Sequence, residues 1–188
     1  MTLLLSLLLA CSGPSDKDTG GTGGPVDTDT SPALSAPPIV INEFLAINDT
    51  TLDDNAGEFD DWIELYNAGT EAIAFDGLYL SDDEDEPLKW ALPGGQVIDP
   101  GGYALFWCDD DDGVGDSGAP TQGDRHTSFN LSSEGETLTL TYAEGDASVQ
   151  VDAIQYGLQQ PDVSAARVPD GSTNWAYGTP TPNATNGG

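Results

Sequence analysis

The sequence predicts an all-β protein, an antiparallel β-sandwich or barrel, and three observations support this. Roughly eight short runs are rich in β-branched and aromatic residues, as strands are. Gly, Pro and Asp residues of the kind that form turns separate these runs. No window keeps a 3.6-residue apolar period, so almost no helix is expected. Many short strands joined by turns are typical of two-layer β folds.

The first strands are expected from Ile39 onwards. The run 39–47 is apolar and β-rich, and the run 61–67 (DWIELYN) follows after a polar, turn-rich segment. Because strand side chains alternate, Ile63 and Leu65 share an apolar face of the second run, while its opposite face is mixed. Shorter runs follow, each after a turn, at residues 72–75, 78–80, 88–92 and 96–98.

The strands of the second half show three distinct patterns. Residues 103–108 (YALFWC) are continuously apolar, which predicts a strand buried on both faces. Residues 136–142 alternate Leu or Tyr with Thr, which predicts a half-buried strand. In residues 148–156 the apolar phase slips, which predicts a β-bulge near Asp152.

The N-terminal segment has a composition of its own. Residues 1–10 are apolar and uncharged but too short to cross a bilayer, which takes roughly 20 residues. Ending in LLAC at Cys11, the run resembles the signal peptide and lipobox of bacterial lipoproteins, although the usual cationic start is missing. The resemblance implies that Cys11 is acylated and anchors the protein in a bacterial cell envelope, at the outer membrane or cell surface. Residues 11–37 are expected to form a disordered Gly/Ser/Thr/Asp/Pro tether, which leaves residues 38–188 for the sandwich.

The charge balance limits the partners. The chain carries 33 acidic residues against 4 Lys and Arg, a formal net charge of −29. Such a polyanion is repelled by nucleic acid and by anionic membrane surfaces, so we expect contact with a membrane through the N-terminal lipid only. Two interpretations of the acidic excess remain. It serves solubility in a salty medium, where cations screen the repulsion, or some of its carboxylates collect Ca²⁺.

A series of sequence motifs occurs in the order typical of one family. The motifs are VINE (40–43), GEFDDWIELYN (57–67), GLYLSDD (77–83), KWALPGG (89–95), PGGYALFW (100–107), HTSFNLSSEGETLTL (126–140) and DGSTNWAYGTPTPNATN (170–186). In this order they resemble a bacterial lamin tail domain. The resemblance implies an immunoglobulin-like β-sandwich with a binding or scaffold role and no catalytic residue. The chromatin partners of lamins do not carry over, because this surface has the wrong charge for DNA.

Two acidic groupings are candidates for Ca²⁺, which binds carboxylate and carbonyl oxygens. One is the loop 109–116, whose spacing fails the EF-hand pattern because Gly113 at the sixth position places Cys108 at the first. The other gathers carboxylates in or beside strands, where an unpaired buried charge is costly. Solvation of the loop and hydrogen bonding to loop amides remain the alternatives. The candidate ligands are Glu43, Asp60, Asp61, Glu64, Asp82, Asp109, Asp110, Asp112 and Asp116.

The remaining candidates are one histidine, one thiol and the tryptophans. His126 is the only histidine, and acid–base or triad catalysis would need it. A structural histidine bonded to a loop is favoured, since no nucleophile motif accompanies it. Cys108 is expected to be a buried structural thiol, because four aspartates follow it and disfavour a reactive thiolate. Trp62 and Trp107 are expected in or near the core, and Trp175 is the candidate for an exposed aromatic that stacks on carbohydrate.

These observations predict a non-catalytic, lipid-anchored module of the cell surface that binds a protein or polysaccharide or serves a structural role. A calcium-binding acidic coat component is the first alternative. A small hydrolase that uses His126 is the second. Ca²⁺ is the only cofactor for which the sequence offers candidate ligands.

Overall fold

The computed structural model describes residues 33–110 and 125–187. This part of the chain contains strands and no helix, so none of its elements is a helix that could cross a membrane. The strands are β1 (Ile39–Leu45), β2 (Asp61–Asn67), β3 (Ile73–Ala74), β4 (Leu78–Ser81), β5 (Trp90–Ala91), β6 (Val97–Ile98), β7 (Tyr103–Cys108), β8 (His126–Thr127), β9 (Thr137–Glu144), β10 (Ala147–Gln155), β11 (Ser164–Arg167) and β12 (Trp175–Gly178). The predicted all-β class is confirmed.

The strands form a sandwich of two main sheets. A six-stranded sheet has the order β12-β11-β1-β2-β7-β8, and a four-stranded sheet has the order β10-β9-β4-β5. Strands β3 and β6 make a small separate pair. All pairs among the described strands are antiparallel except β7 with β8. Parallel neighbours need a connection of about a dozen residues or more, and residues 109–125 provide it.

One apolar core fills the space between the two main sheets. It takes Ile63 and Leu65 from β2, which confirms the apolar face predicted for that strand. Leu80 from β4 and Leu140 from β9 face them from the other sheet. All four side chains are fully buried. Burial of each contributes about 1.5–3 kcal/mol relative to exposure, so this interface dominates the stability of the fold.

The opposite face of the six-stranded sheet carries a second, smaller cluster. Leu45, Trp62, Leu105 and Trp107 pack together there, on neighbouring strands β1, β2 and β7. Since these residues alternate with core residues, β7 is buried on both faces, as its apolar run predicts. The expected core or rim position of the two tryptophans is confirmed.

Two β-bulges tie the sheets together. The pairing of β10 with β9 shifts register between Gln150 and Asp152, which confirms the predicted bulge. Strand β1 also has a bulge, between Ile41 and Glu43. The backbone N–H of Ile41 donates to Asp152 Oδ2 at 2.8 Å, so the side chain at the β10 bulge accepts a hydrogen bond from the backbone at the β1 bulge. Arg167 on β11 donates to both oxygens of Asp152 at 2.9 Å and thereby links a third strand.

Strand β9 differs from its prediction. Its alternating pattern predicts exposed threonines, but Thr139 and Thr141 are each only 2% exposed. Strand β9 lies inside its sheet, between β10 and β4. The prediction of a half-buried strand is therefore wrong, because the pattern of one strand does not show what the rest of the fold places over its second face.

Candidate functional site

A group of buried carboxylates lies on the outer face of the six-stranded sheet, beneath the C-terminal segment. Glu43 and Glu64 are register partners on β1 and β2, and neither has any exposed surface. Glu43 accepts hydrogen bonds from Ser164 Oγ at 2.5 Å and from the backbone N–H of Thr181 at 2.9 Å. The N–H of Asn183 donates to Glu64 Oε2 at 2.5 Å. These carboxylates therefore bond loop amides, the arrangement that the sequence leaves open beside metal binding.

The group has a third carboxylate, Asp170. Its Oδ2 accepts from the hydroxyl of Tyr103 at 2.8 Å and its Oδ1 from the N–H of Asn186 at 3.1 Å. Asn42, at the bulge of β1, connects Asp170 to Glu64 through its Nδ2, which donates to Asp170 Oδ1 at 3.0 Å and to Glu64 Oε1 at 3.4 Å. Backbone N–H groups of the C-terminal segment thus donate to the three carboxylates, and these hydrogen bonds hold the segment against the sheet.

Burial dominates the electrostatics of this group. Burial, together with the charges of Glu43 and Asp170, raises the pKa of Glu64 to about 8 against the lowering effect of the Asn183 amide. Burial also raises the pKa of Glu43. Carboxylates that lie close together in a dry site cannot all ionise at little cost. At least one proton is therefore expected to stay with this group near neutral pH.

A second acidic group lies in the turn before β2. The carboxylates of Asp54, Glu58 and Asp60 bring one oxygen each to within 4.8 Å of the others. The turn is shaped by Asp54, whose Oδ1 accepts from the N–H groups of Ala56 and Glu58, both at 2.8 Å. Burial, followed by the charges of Asp109 and Asp54, raises the pKa of Asp60 to about 6.

His126 lies beside this second group and is not accessible to a substrate. Its side chain is 1% exposed, and its Nδ1 lies 2.5 Å from Asp109 Oδ2. Its Nε2 faces Asp54 Oδ2 at 4.0 Å. The histidine belongs to β8, whose pairing with Trp107 of β7 fixes this position. Asp109 and His126 therefore form a hydrogen-bonded pair inside the protein, as the structural interpretation of His126 predicts.

The other carboxylates singled out by the sequence lie elsewhere. Asp82 pairs with Lys89 at 2.6 Å. Burial, with the charges of Asp60 and Glu136, raises the pKa of Asp61 to about 7. Asp110 is exposed in the loop after β7. Of the five strand-associated candidates, only Asp60 belongs, within the described ranges, to a group of three residues whose carboxylate oxygens lie within 4.8 Å of one another. The five carboxylates therefore do not converge on one ion.

Several predicted residues lie outside the described ranges. They are Cys11, the tether up to residue 32, and the loop residues Asp112 and Asp116. Calcium binding by the 109–116 loop and acylation of Cys11 therefore stay predictions.

The two remaining side chains with predicted environments give different results. Cys108 is a buried free thiol, and burial raises its pKa well above the ordinary value, which confirms the structural interpretation. The expectation that Trp175 is exposed needs correction, because this residue of β12 is partly buried and packs against the core. Its ring centroid lies 5.9 Å from that of Phe44, and the guanidinium of Arg167 lies 4.8 Å from its centre. That ring face is therefore not available for carbohydrate.

The exposed aromatic of this region is Tyr177 instead. It is 60% exposed on β12, and Leu158 beside it is 79% exposed. Both line a shallow depression of about 250 Å³ together with Gln159, Gln160 and Val163. Strand β12 is also the edge of the six-stranded sheet, and an edge strand presents backbone groups to a further chain.

Sequence reasoning missed these two residues and also Asp54, Glu58 and Asp170. The pattern WAYG of β12 does contain the signal for Tyr177, since alternation in a strand places Trp175 and Tyr177 on one face. The pattern does not show that Arg167 covers the ring of Trp175 and leaves that of Tyr177 exposed. Asp54 and Glu58 have the spacing of a turn in which one carboxylate caps the next amides.

Comparison with known proteins identifies one relationship. A family model described as Lamin Tail Domain matches residues 32–157. No curated protein and no solved structure matches the chain.

Proposed function

Because the chain belongs to the lamin tail domain family, we propose that it is a non-catalytic binding or scaffold module held at a bacterial cell surface by lipid on Cys11. Lamin tail domains are non-enzymatic immunoglobulin-like modules, which supports a binding or structural role. The LLAC sequence that ends at Cys11 supports the anchor.

The observation that carries the proposal is the exposed surface at the β12 edge. Large apolar side chains that are exposed together mark interaction sites more often than isolated ones do. Here Leu158 and Tyr177 border a depression beside the free edge of a sheet. An extended polypeptide pairs with such an edge through its backbone, and a sugar ring stacks on an exposed tyrosine. Both ligand classes, protein and polysaccharide, fit this surface.

The environment of His126 favours a non-catalytic role for this protein and disfavours a hydrolase. A general base must reach the proton that it removes within about 3.2 Å. With its side chain 1% exposed and its Nδ1 engaged by Asp109, His126 does not meet a substrate in solution. The hydrolase alternative would require opening of the β7–β8 region.

The anchor is tested by cell fractionation. The native protein is expected in the membrane fraction and the Cys11→Ala variant in the soluble fraction. Ser12→Ala, a neighbouring change that leaves the thiol intact, is the control and should stay with the membrane. Recovery of Cys11→Ala in the membrane fraction would show that lipid on this residue is not the anchor.

The binding surface is tested with the soluble Cys11→Ala chain, sedimented with isolated cell envelopes. Binding should fall at least about tenfold when Leu158→Ser and Tyr177→Ala are combined, because the pair removes most of the exposed apolar area of the depression. The control is Val97→Ser, since Val97 is an equally exposed apolar residue in β6. Equal binding by all three proteins would place the ligand elsewhere. Digestion of the envelopes with protease or with glycosidases then separates the two ligand classes.

A further inference from the structure

Two buried polar atoms face each other without a partner. They are Asp54 Oδ2 and His126 Nε2, which lie 4.0 Å apart. Neither atom has a hydrogen-bond partner among the residues that the structure describes. Asp54 and His126 are each 7% exposed as whole residues, so bulk water does not solvate these atoms. A buried polar atom without a partner costs about 1–3 kcal/mol, so two of them side by side point to a group that bridges them.

The bonds on the far sides of both groups define what the facing atoms are. Asp54 directs its Oδ1 to two backbone amides, so Oδ2 is the oxygen left over. His126 engages Asp109 through Nδ1, and a neutral imidazole that donates from Nδ1 has a lone pair on Nε2. Oδ2 is also an acceptor. With a neutral imidazole, two acceptors therefore face each other at 4.0 Å, and they require a donor or a cation between them.

The neighbouring carboxylates favour a cation. Glu58 and Asp60 bring an oxygen each to within 4.8 Å of an Asp54 oxygen and of each other. The carboxylate of Asp109 lies on the other side of the imidazole, 2.5 Å from His126 Nδ1, so negative charge is crowded here. A divalent ion relieves that crowding and gives both facing atoms a ligand bond. A histidine that ligates a metal usually donates its other ring N–H to a carboxylate, as His126 does to Asp109.

We propose that a first-row divalent metal ion binds between His126 Nε2 and Asp54 Oδ2, beside the carboxylates of Glu58 and Asp60. An imidazole among carboxylates suits Zn²⁺ or Mn²⁺, whereas Ca²⁺ and Mg²⁺ prefer oxygen alone. Two ligands at about 2.1 Å from one ion lie up to about 4.2 Å apart, and at about 3.4 Å when the ion is tetrahedral. The 4.0 Å separation is therefore within reach, and closure by about 0.6 Å gives the tetrahedral arrangement.

The ion has a structural role at this position. It joins the turn before β2 to β8 and, through Asp109, to the end of β7. Sites that hold a metal for stability are closed to solvent and use protein ligands throughout. This site is distinct from the β12 edge, and its existence does not depend on the binding function proposed for that edge.

The sole histidine makes a direct test available. Full-length Cys11→Ala protein labelled with ¹⁵N is freed of metal with a chelator, and long-range ¹H–¹⁵N spectra then report one imidazole only. Addition of one equivalent of Zn²⁺ should shift the Nε2 resonance to the metal-bound range and leave Nδ1 protonated. Ca²⁺ should leave both resonances in place. Mn²⁺ binding is counted separately by electron paramagnetic resonance.

The variant Asp54→Asn distinguishes a bound metal ion from a buried water and from an ion pair. Asparagine keeps Oδ1 for the two amides and places an N–H₂ opposite His126 Nε2, so the turn remains intact. Zn²⁺ affinity should fall at least about tenfold, while the melting temperature of the metal-free protein should stay equal or rise. Asp146→Asn, in the exposed turn between β9 and β10, is the matched control and should bind Zn²⁺ as the native chain does.

Three results would overturn the proposal. An Nε2 resonance unchanged by Zn²⁺ would mean that a buried water, not a metal, bridges the two atoms. A doubly protonated imidazole at pH 7 in the metal-free protein, with Asp54→Asn destabilised, would mean an ion pair. Equal loss of Zn²⁺ affinity in Asp54→Asn and Asp146→Asn would mean that the acidic surface binds metal without a defined site.

Discussion

Protonation of Glu64 should make this domain more stable in mild acid than in mild base. The residue is fully buried, and its pKa is raised from 4.5 to about 8 by burial and by the neighbouring charges of Glu43 and Asp170. A group whose folded pKa lies above its unfolded pKa binds its proton more tightly in the folded state. Its contribution to stability is complete below the unfolded pKa and is lost as the pH rises through the folded pKa. The relevant window here is about pH 4.5 to 8.

The size of the effect follows from the same values. Each unit between the pH and the folded pKa corresponds to about 1.4 kcal/mol. Between pH 9 and pH 6 Glu64 therefore adds about 3 kcal/mol to the free energy of unfolding. For a domain of this size, about 2–4 °C in melting temperature corresponds to 1 kcal/mol, so the expected rise is about 6–12 °C. Asp60 and Asp61, whose pKa values are also raised, add to the rise in the same direction.

The assay is thermal unfolding at pH 6, 7, 8 and 9 at constant ionic strength, with Glu64→Gln beside the native chain. Glutamine does not ionise and still offers its Oε1 to the amide of Asn183. The variant should therefore be more stable than the native chain at pH 9 and should gain less on acidification. Glu144→Gln, which removes one charge from an exposed turn, is the control and should keep the native slope.

Two outcomes would refute the reasoning about Glu64. Equal pH dependence in Glu64→Gln and the native chain would mean that Glu64 is ionised throughout this range. A variant less stable than the native chain at pH 9 would mean that the Asn183 and Asn42 donors stabilise the charged carboxylate more than burial opposes it.

Three further predictions concern other parts of the chain. Arg167→Lys should lower the free energy of unfolding by about 3–5 kcal/mol, because one ammonium cannot replace the guanidinium bonds to Asp152, Ile41 O and Ser172 O. Lys89→Arg, at the more exposed ion pair with Asp82, should change it by less than about 1 kcal/mol. Urea denaturation measures both changes. Millimolar Ca²⁺ should raise the melting temperature relative to EDTA if the 109–116 loop binds it, and an unchanged melting temperature contradicts a stabilising site there. A chain ended after Gly157 should show no cooperative unfolding transition by circular dichroism, whereas one that ends at Gly187 should unfold like the native chain.

The chain that ends after Gly157 is expected not to fold because the family match and the folding unit end at different places. The match ends at residue 157. Strand β11 follows it and pairs with β1 in the middle of the six-stranded sheet. Without β11 and the C-terminal segment, Glu43 and Glu64 would lose the Ser164, Thr181 and Asn183 donors. The matched region supplies strands β1 to β10, and the segment after it completes the six-stranded sheet.

Strand positions could be predicted because each depends on a local pattern. The runs at 61–67 and 103–108 agree with β2 and β7 to the residue, and the phase slip correctly locates the bulge at Asp152. Patterns of this kind are set by one strand and its two faces. The sheet to which each strand belongs is not set locally, since residues 61–81 supply β2, β3 and β4 to three different sheets.

The environments of the carboxylates could not be predicted for the same physical reason. Sequence neighbours such as Asp60 and Asp61 have different surroundings, since Asp60 belongs to the group of Asp54 and Glu58 and Asp61 does not. The partners of Glu43 and Glu64 come from β11 and the C-terminal segment, more than a hundred residues away. The sequence does predict, from the shortage of Lys and Arg, that buried carboxylates must bond amides or bind a metal. It does not predict which carboxylates do either.

Two carboxylates show that a hydrogen bond from a backbone amide does not by itself decide whether a carboxylate is ionised. Asp162 accepts from the N–H groups of Asp49 and Thr50 and from the Thr50 hydroxyl at the surface, and these bonds lower its pKa. Glu64 also accepts a backbone N–H, yet burial raises its pKa. A neutral donor stabilises a carboxylate without cancelling its charge, so in a dry site the cost of ionisation remains. With 4 basic residues against 33 acidic ones, most buried carboxylates of this chain have only a proton or a metal ion to neutralise them. The raised pKa of Glu64 and the facing acceptors at Asp54 and His126 are two consequences of that one shortage.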